Sequence, residues 1–184
     1  MTKRIATALC AALLFGGCQT YNAFDMFKKD EHYEKALKET KNAQIINSME
    51  TKAKITATYL NPLYPSRYSD AEYFFVGVYI PDDYDKKEES GLYNKDYSLS
   101  MTVAPKKEEL KLGDKAAPSS MVQAKIVEMI VKLDQNELYK KMPHTDAWSR
   151  YYVVSFPKQD GNSALSLSFR GPDGVASLSF PKVH

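Results

Sequence analysis

The sequence predicts a mainly β protein, an antiparallel β-sandwich preceded by an N-terminal helix. Six segments have the apolar spacing of β-strands, a seventh is compatible with a strand, and turn-forming residues lie between them. Many short strands spaced by turn signals are typical of a sandwich. The 184 residues are 43% hydrophobic and 26% charged, which is the composition of an ordinary folded domain with one sizeable core.

The first eighteen residues have the parts of a secretory signal peptide. Lys3 and Arg4 precede an uncharged, largely apolar run from Ile5 to Phe15, and two glycines then precede Cys18. These eleven residues make about 16 Å of helix, roughly half of a 30 Å hydrocarbon core, which is too short for a stable membrane anchor. We therefore predict a signal peptide over residues 1–17.

Phe15-Gly16-Gly17-Cys18 resembles the lipobox of bacterial lipoprotein precursors. In that family an aliphatic residue, a small residue and Gly or Ala precede the lipidated cysteine, and Cys18 matches that cysteine, whereas Phe15 stands where leucine is usual. The resemblance implies cleavage before Cys18, a thioether-linked diacylglycerol on its sulfur and acylation of the new amino group. Gln19, in place of aspartate, implies sorting to the outer membrane. The alternative is an ordinary secretory signal that leaves Cys18 as a free thiol.

From Cys18 onward the chain is electrically balanced. Lys3 and Arg4 are the only charged residues before it, so their removal leaves 23 of the 25 basic residues against 23 acidic ones. Such a chain has no basic excess to attract nucleic acid or an anionic membrane surface. The other cysteine, Cys10, lies in the predicted signal peptide, so we expect no disulfide and a core that is stable by packing alone.

A helical segment is predicted from Asn22 to about Met49. It is rich in Lys, Glu, Ala and Leu without Pro or Gly, and Asn22 with Asp25 provides an N-cap and an acid in the first turn. Charged residues interrupt its apolar stripe, so we interpret it as a loosely docked spacer, with a partner-binding helix as the alternative. The predicted domains are a signal peptide at 1–17, a lipidated N-terminus with a helical spacer at 18–51, and a β-sandwich at 52–184.

The predicted strands follow in order along the sandwich. They are expected at residues 52–59, 73–80, 97–103, 150–156, 165–169 and 176–180. In the first of these predicted strands, Lys54, Thr56 and Thr58 are expected on the solvent-exposed face. The second is apolar on both faces and is predicted to be a central strand with Phe74, Val76, Val78 and Ile80 buried. Gly171-Pro172-Asp173-Gly174 turns the chain between the last two, which form a C-terminal hairpin.

The segment from Met121 to Leu133 is compatible with a helix face or with a strand. Its five β-branched residues favour a strand, which is our prediction. Asp134 with Glu137 resembles a capping box that starts a short helix to Met142. This strand brings the number of predicted strands to seven. Residues 52–181 therefore resemble an immunoglobulin-like sandwich at the level of architecture. The cysteine pair of antibody domains is absent, and Trp148 is a weak match to their core tryptophan.

No segment of the sequence carries a recognised catalytic or metal-binding pattern. GxSxG, HExxH, GxxxxGK[ST], GxGxxG and CxxC are all absent, and His32, His144 and His184 are too dispersed for a metal site. His144 and Asp146 form a close pair of histidine and carboxylate, which we interpret as an exposed loop. The acidic run 82–85 lacks the glycine spacing of an EF-hand. We therefore predict no catalytic residue, no metal and no cofactor.

Tyrosine is the feature that most suggests recognition. Six of the thirteen tyrosines lie between residues 59 and 84, and Tyr64, Arg67 and Tyr68 lie in a loop with prolines at 62 and 65. Tyrosine and arginine are enriched at binding hot spots, and a stiff loop loses less entropy on binding. These three residues are the predicted partner-binding residues. The alternative is that the rings fold back over an open end of the sandwich.

Together these features predict an outer-membrane-anchored lipoprotein that acts as a non-enzymatic binding or scaffolding module of the cell envelope. Its expected partners are the membrane, through the lipid on Cys18, and an envelope protein or glycan, but not nucleic acid. A surface-exposed adhesin-like lipoprotein and an unrecognised envelope hydrolase are the alternatives, and the sequence leaves open which face of the outer membrane the domain occupies.

Overall fold

Two antiparallel sheets face each other in the computed structural model, which describes residues 31–83, 89–103, 120–159 and 164–182. The strands in these ranges are β1 Thr40–Asn47, β2 Glu50–Tyr59, β3 Glu72–Tyr79, β4 Ser98–Val103, β5 Ser120–Gln123, β6 Lys125–Ile130, β7 Arg150–Phe156, β8 Leu165–Gly171 and β9 Gly174–Phe180. The helices are α1 Glu31–Lys38 and α2 Glu137–Lys141, with 3-10 turns at Pro81–Asp83, Gly91–Tyr93 and Leu133–Gln135. The predicted signal peptide, Cys18 and the first part of the predicted helix (22–30) lie outside the described residues.

The strand order is that of an immunoglobulin-like sandwich. The five-stranded sheet runs β1-β2-β3-β7-β6 and the four-stranded sheet runs β5-β4-β8-β9. Strands β2, β3, β7 and β6 take the places of immunoglobulin strands A, B, E and D, and β5, β4, β8 and β9 those of C′, C, F and G. Strand β1 is an addition beside β2. The predicted antiparallel β-sandwich is confirmed.

The main core lies between the two sheets. Phe74, Val76, Val78 and Ile80 are buried there, as the sequence predicted. The Phe74 ring lies edge-on to Phe156 and Phe180, with ring centroids 5.9 and 5.1 Å apart. Burial of each such side chain contributes about 1.5 to 3 kcal/mol, so this interface supplies much of the stability of the fold.

A second core covers the outer face of the five-stranded sheet. Helix α1, the 60–71 loop and α2 pack there against Phe75, Tyr151 and Val153. Because both faces of β3 are buried, its sequence after Glu72 is apolar. The same cover explains why Thr58, predicted on a wet face with Thr56, is buried and hydrogen-bonded to Thr40 at 2.7 Å.

The N-terminal boundary of the sandwich differs from the prediction. Helix α1 ends at Lys38, and residues 40–47 form β1, which pairs with β2 along its whole length. The two-residue connection Ser48-Met49 has positive φ at both positions, as a type I′ hairpin turn requires. Pairing with β2 thus outweighs the helical composition of this segment. The sheet begins at residue 40, so the predicted helix to Met49 and boundary at residue 52 were wrong.

The ambiguous segment from Met121 to Leu133 contains two strands. Strand β5 belongs to the four-stranded sheet and β6 to the five-stranded sheet, and the chain crosses between them at Ala124. The predicted strand is thus confirmed as β structure, but as two strands. Helix α2 follows, and its N-cap is Asn136 instead of Asp134, because the Asn136 side chain accepts a hydrogen bond from the Tyr139 N–H at 2.9 Å.

Candidate functional site

The loop with Tyr64, Arg67 and Tyr68 packs against the sandwich. Tyr68 is 6% exposed and belongs to the outer core, with its ring centroid 4.8 Å from that of Tyr73. Tyr64 is half-buried, and its hydroxyl group lies 2.7 Å from Nε2 of His32 in α1. Arg67 is exposed and lies over the Tyr68 ring. These contacts favour packing over recognition as the role of the two tyrosines.

The edges of the five-stranded sheet are poorly suited to adding a partner strand. Both edge strands, β1 and β6, have a register shift, between Ile45 and Ile46 and between Ile126 and Glu128. Such bulges interrupt the row of backbone groups that another strand would pair with.

At the end where β3 begins, a buried ion pair holds the C-terminal segment. Glu72 is 0% exposed, and its Oε1 accepts hydrogen bonds from Lys182 Nζ at 2.7 Å and from the Gln159 N–H at 2.8 Å. Its Oε2 accepts from the Tyr59 hydroxyl at 2.7 Å. Burial alone raises the pKa of Glu72, but these hydrogen bonds together hold the pKa below its usual value. The carboxylate is fully partnered, so we interpret this cluster as a structural latch.

At the opposite end a small cleft lies beyond the end of β3. Ile80, Asp83, Ser90, Trp148 and Arg150 contribute to its lining, together with Val78 and Gly91. It encloses about 10 Å³, which is about the space of one water-sized oxygen. We call this site the Trp148 cleft. The 3-10 turns on either side of residue 90 form one wall, and the turn before β7 forms the other.

The wall that contains Ser90 is held by two buried groups. The Asp83 carboxylate accepts hydrogen bonds from the Asn94 amide, at 2.9 and 2.8 Å, and from the Gly91 N–H at 3.3 Å. The Tyr152 hydroxyl donates to the Ser90 carbonyl at 3.1 Å and accepts from the Leu92 N–H at 3.3 Å. Asp83, which belongs to the acidic run 82–85 of the sequence, is itself buried.

Glycine is required at position 91. Its φ is +64°, in the left-handed region, and a Cβ there would collide with the Tyr152 hydroxyl oxygen and press on Arg150. The Ser90 loop can therefore lie close to β7 only because residue 91 has no side chain.

The wall that contains Trp148 is held by Asp146. Its Oδ1 accepts hydrogen bonds from the N–H groups of Trp148 at 3.0 Å and Ser149 at 2.7 Å, which closes a tight turn. The Tyr151 hydroxyl accepts from the Asp146 N–H at 2.6 Å and donates to its carbonyl at 3.1 Å. The predicted pair of His144 and Asp146 has no shared role here: His144 is exposed, and the Asp146 carboxylate holds the turn.

Two features of the cleft suggest recognition. Trp148, which was weakly matched to a core tryptophan, is 62% exposed, so that match was wrong. Ser90 is 2% exposed, and its Oγ has no hydrogen-bond partner among the described residues. A buried hydroxyl without a partner costs about 1 to 3 kcal/mol. Sequence patterns could not have found this pair, because Ser90 and Trp148 are far apart in the chain.

The cleft has no arrangement that activates a nucleophile within the described ranges. Ser90 Oγ has no base hydrogen-bonded to it there, whereas a catalytic serine requires one. In residues 31–83, 89–103, 120–159 and 164–182, no group of three or more His, Cys, Asp or Glu side chains is placed to hold a metal ion. No helix in the part that the structure describes is long and apolar enough to cross a membrane.

No protein-family model, curated protein or solved structure matches this chain. The immunoglobulin-like strand order by itself carries no function, because the same sandwich serves many unrelated roles.

Proposed function

We propose that this chain is an outer-membrane-anchored lipoprotein whose immunoglobulin-like domain is a non-enzymatic binding module of the cell envelope, with the Trp148 cleft as its contact site. The observation that carries the proposal is an exposed tryptophan, fixed by a hydrogen-bonded turn, beside a buried serine hydroxyl without a described partner. The resemblance of residues 15–18 to a lipobox supports the anchor.

The position of the cleft supports a contact role. Strand β1 begins at Thr40, opposite Thr58, near the start of β3, whereas the cleft lies beyond the end of β3. The eight residues of β3 separate the two ends by about 26 Å. The described chain thus enters the sandwich at the end opposite the cleft.

The rigidity of the cleft also favours binding. Trp148 and Ser90 lie in loops whose backbone groups are bonded to buried tyrosine hydroxyls before any partner arrives. Loops that are already ordered lose less conformational entropy on association. Tryptophan is also among the residues most enriched at binding hot spots.

Photo-crosslinking in intact cells tests this proposal. A benzophenone amino acid, which reacts with C–H bonds of proteins and glycans alike, replaces Trp148 or Tyr93 in the full chain. The matched control replaces Tyr33, which is 44% exposed on α1. We expect discrete crosslinked products in the outer-membrane fraction from positions 148 and 93, at several times the yield from position 33. Equal or absent crosslinking at the three positions would contradict a contact role for the cleft.

A further inference from the structure

The start of β1 and the Trp148 cleft lie at opposite ends of one continuous ladder of strands. We propose that the domain has a further function as a tension-bearing link, which resists a pull between its N-terminal anchor and a partner held at the Trp148 cleft. This inference rests on the proposed function, because the anchor and the contact site define the direction of the load.

The load from the anchor reaches the ladder through the start of β1. Thr40 pairs with Thr58 of β2, and its hydroxyl group donates a hydrogen bond to the Ala36 carbonyl of α1 at 2.6 Å. The Glu39 carbonyl accepts a further hydrogen bond from the Tyr59 N–H at 3.0 Å. A pull on α1 is therefore transmitted to β1 at the end of the sandwich opposite the cleft.

The load from the partner reaches the ladder through the start of β7. Ser149 is the one residue between Trp148 and Arg150, where β7 begins. Hydrogen bonds from the N–H groups of Trp148 and Ser149 to the Asp146 carboxylate fix this turn. Arg150 then pairs with Val78, near the end of β3. A partner that pulls on Trp148 therefore loads β7 at the opposite end from the start of β1.

The strands between these two points are loaded in shear. Strands β1, β2, β3 and β7 are successive neighbours in one antiparallel sheet, and the pull acts along their length. Hydrogen bonds between antiparallel strands run perpendicular to the strands, so such a pull loads all the bonds between two strands together. Several bonds must then break at the same time before the strands can separate, which requires a high force.

A pull on the two ends of the described chain acts differently. Strand β9 ends at Phe180, and Lys182 then binds Glu72 at the start of β3, so the chain leaves the sandwich at the end where it enters. A pull between α1 and the C-terminus would break this ion pair first and then peel β9 from β8, beginning at the pair of Phe180 and Leu165. Because peeling loads one bond at a time, it requires less force.

Optical tweezers test this inference on the full chain in detergent. Azidophenylalanine replaces Tyr33 on α1 and, in two separate preparations, either the exposed Ala147 beside Trp148 or the C-terminal His184. DNA handles joined to the two azides then pull the same protein along the ladder or from the end where both chain ends lie. At the same loading rate, we expect unfolding through positions 33 and 147 to require several times the force needed through positions 33 and 184.

Thermal unfolding of the two labelled chains is the control. Equal melting temperatures show that a difference in force comes from the direction of the pull and not from a difference in stability, because forced unfolding follows the unfolding rate. Equal unfolding forces in the two directions, or a lower force through positions 33 and 147, would overturn the inference.

The force measurement and the crosslinking experiment fail separately. The tweezers need neither the lipid nor a partner, so equal forces would remove the tension-bearing role and leave a contact role at Trp148 intact. Absent crosslinking at positions 148 and 93 would contradict the contact role, and the tension-bearing function would fail with it whatever the measured force.

Discussion

Tyr151 and Tyr152 are consecutive residues of β7, yet their hydroxyl groups fasten the two opposite walls of the Trp148 cleft. Because side chains alternate along a strand, Tyr151 lies in the outer core and Tyr152 in the main core. Tyr151 bonds to the backbone of Asp146 and Tyr152 to the backbone of Ser90 and Leu92. Burial raises the pKa of each to about 12, so both hydroxyl groups are protonated at neutral pH.

We predict that Tyr152→Phe destabilises the domain by about 1 to 3 kcal/mol, because it leaves the Ser90 carbonyl and the Leu92 N–H without their partner. Equilibrium unfolding in urea measures this loss. Tyr93→Phe, at an exposed position, is the control and should change the free energy of unfolding by less than about 0.5 kcal/mol. Equal stability of the two variants would show that the Tyr152 hydroxyl does not hold the loop.

The latch at the other end of the sandwich gives a second prediction. Lys182→Ala removes the cationic partner of the fully buried Glu72 carboxylate, and such a loss costs about 3 to 5 kcal/mol. Lys158→Ala is the matched control, since Lys158 is exposed and donates to the Ser69 carbonyl. Thermal unfolding of both variants checks this. A melting temperature for Lys182→Ala as high as that of Lys158→Ala would contradict a structural role for the pair.

The free energy of unfolding should depend on pH through the ionisation of Glu72. Its pKa is held below the ordinary value of 4.5 in the folded protein, so the unfolded chain takes up a proton first as the pH falls. The stabilisation is therefore complete well above pH 4.5 and is lost as the pH falls through the folded pKa. We expect the gap in unfolding free energy between the parent chain and Glu72→Gln to shrink over that range. A gap that stays constant from neutral to acid pH would refute the shift.

The sequence predicted those parts of the fold in which local pattern and burial agree. Strand β3 was identified because both of its faces are covered, and the β8–β9 hairpin because its turn residues are explicit. Strand β1 was missed because an edge strand with a solvent-exposed outer face, containing Asn42 and Gln44, has the same composition as a polar helix. On the face of β2 that was predicted to be solvent-exposed, Thr56 and Thr58 are buried and Lys54 stays partly exposed. The α1 segment that helps to cover this face is not part of the local pattern of β2.

The candidate site was beyond prediction from the sequence for a related reason. The cleft exists only because the register of β3 with β7 places Val78 opposite Arg150, which brings the loop after β3 beside the turn before β7. No local sequence pattern indicates that these two loops lie side by side. The tyrosine-rich loop at 61–68 was recognisable from the sequence, but its role was not. Tyr68 packs in the outer core.

The proposal of a lipid-anchored envelope module depends first on Cys18. Intact-mass spectrometry of the protein extracted from membranes of its native host measures the state of this residue directly. We predict a chain that begins at Cys18 and carries the added mass of a diacylglyceryl group and an amide-linked acyl chain, whereas Cys18→Ser should yield uncleaved precursor or soluble protein. A native chain in which Cys18 is unmodified would contradict the anchor and with it the proposed place of this protein in the outer membrane.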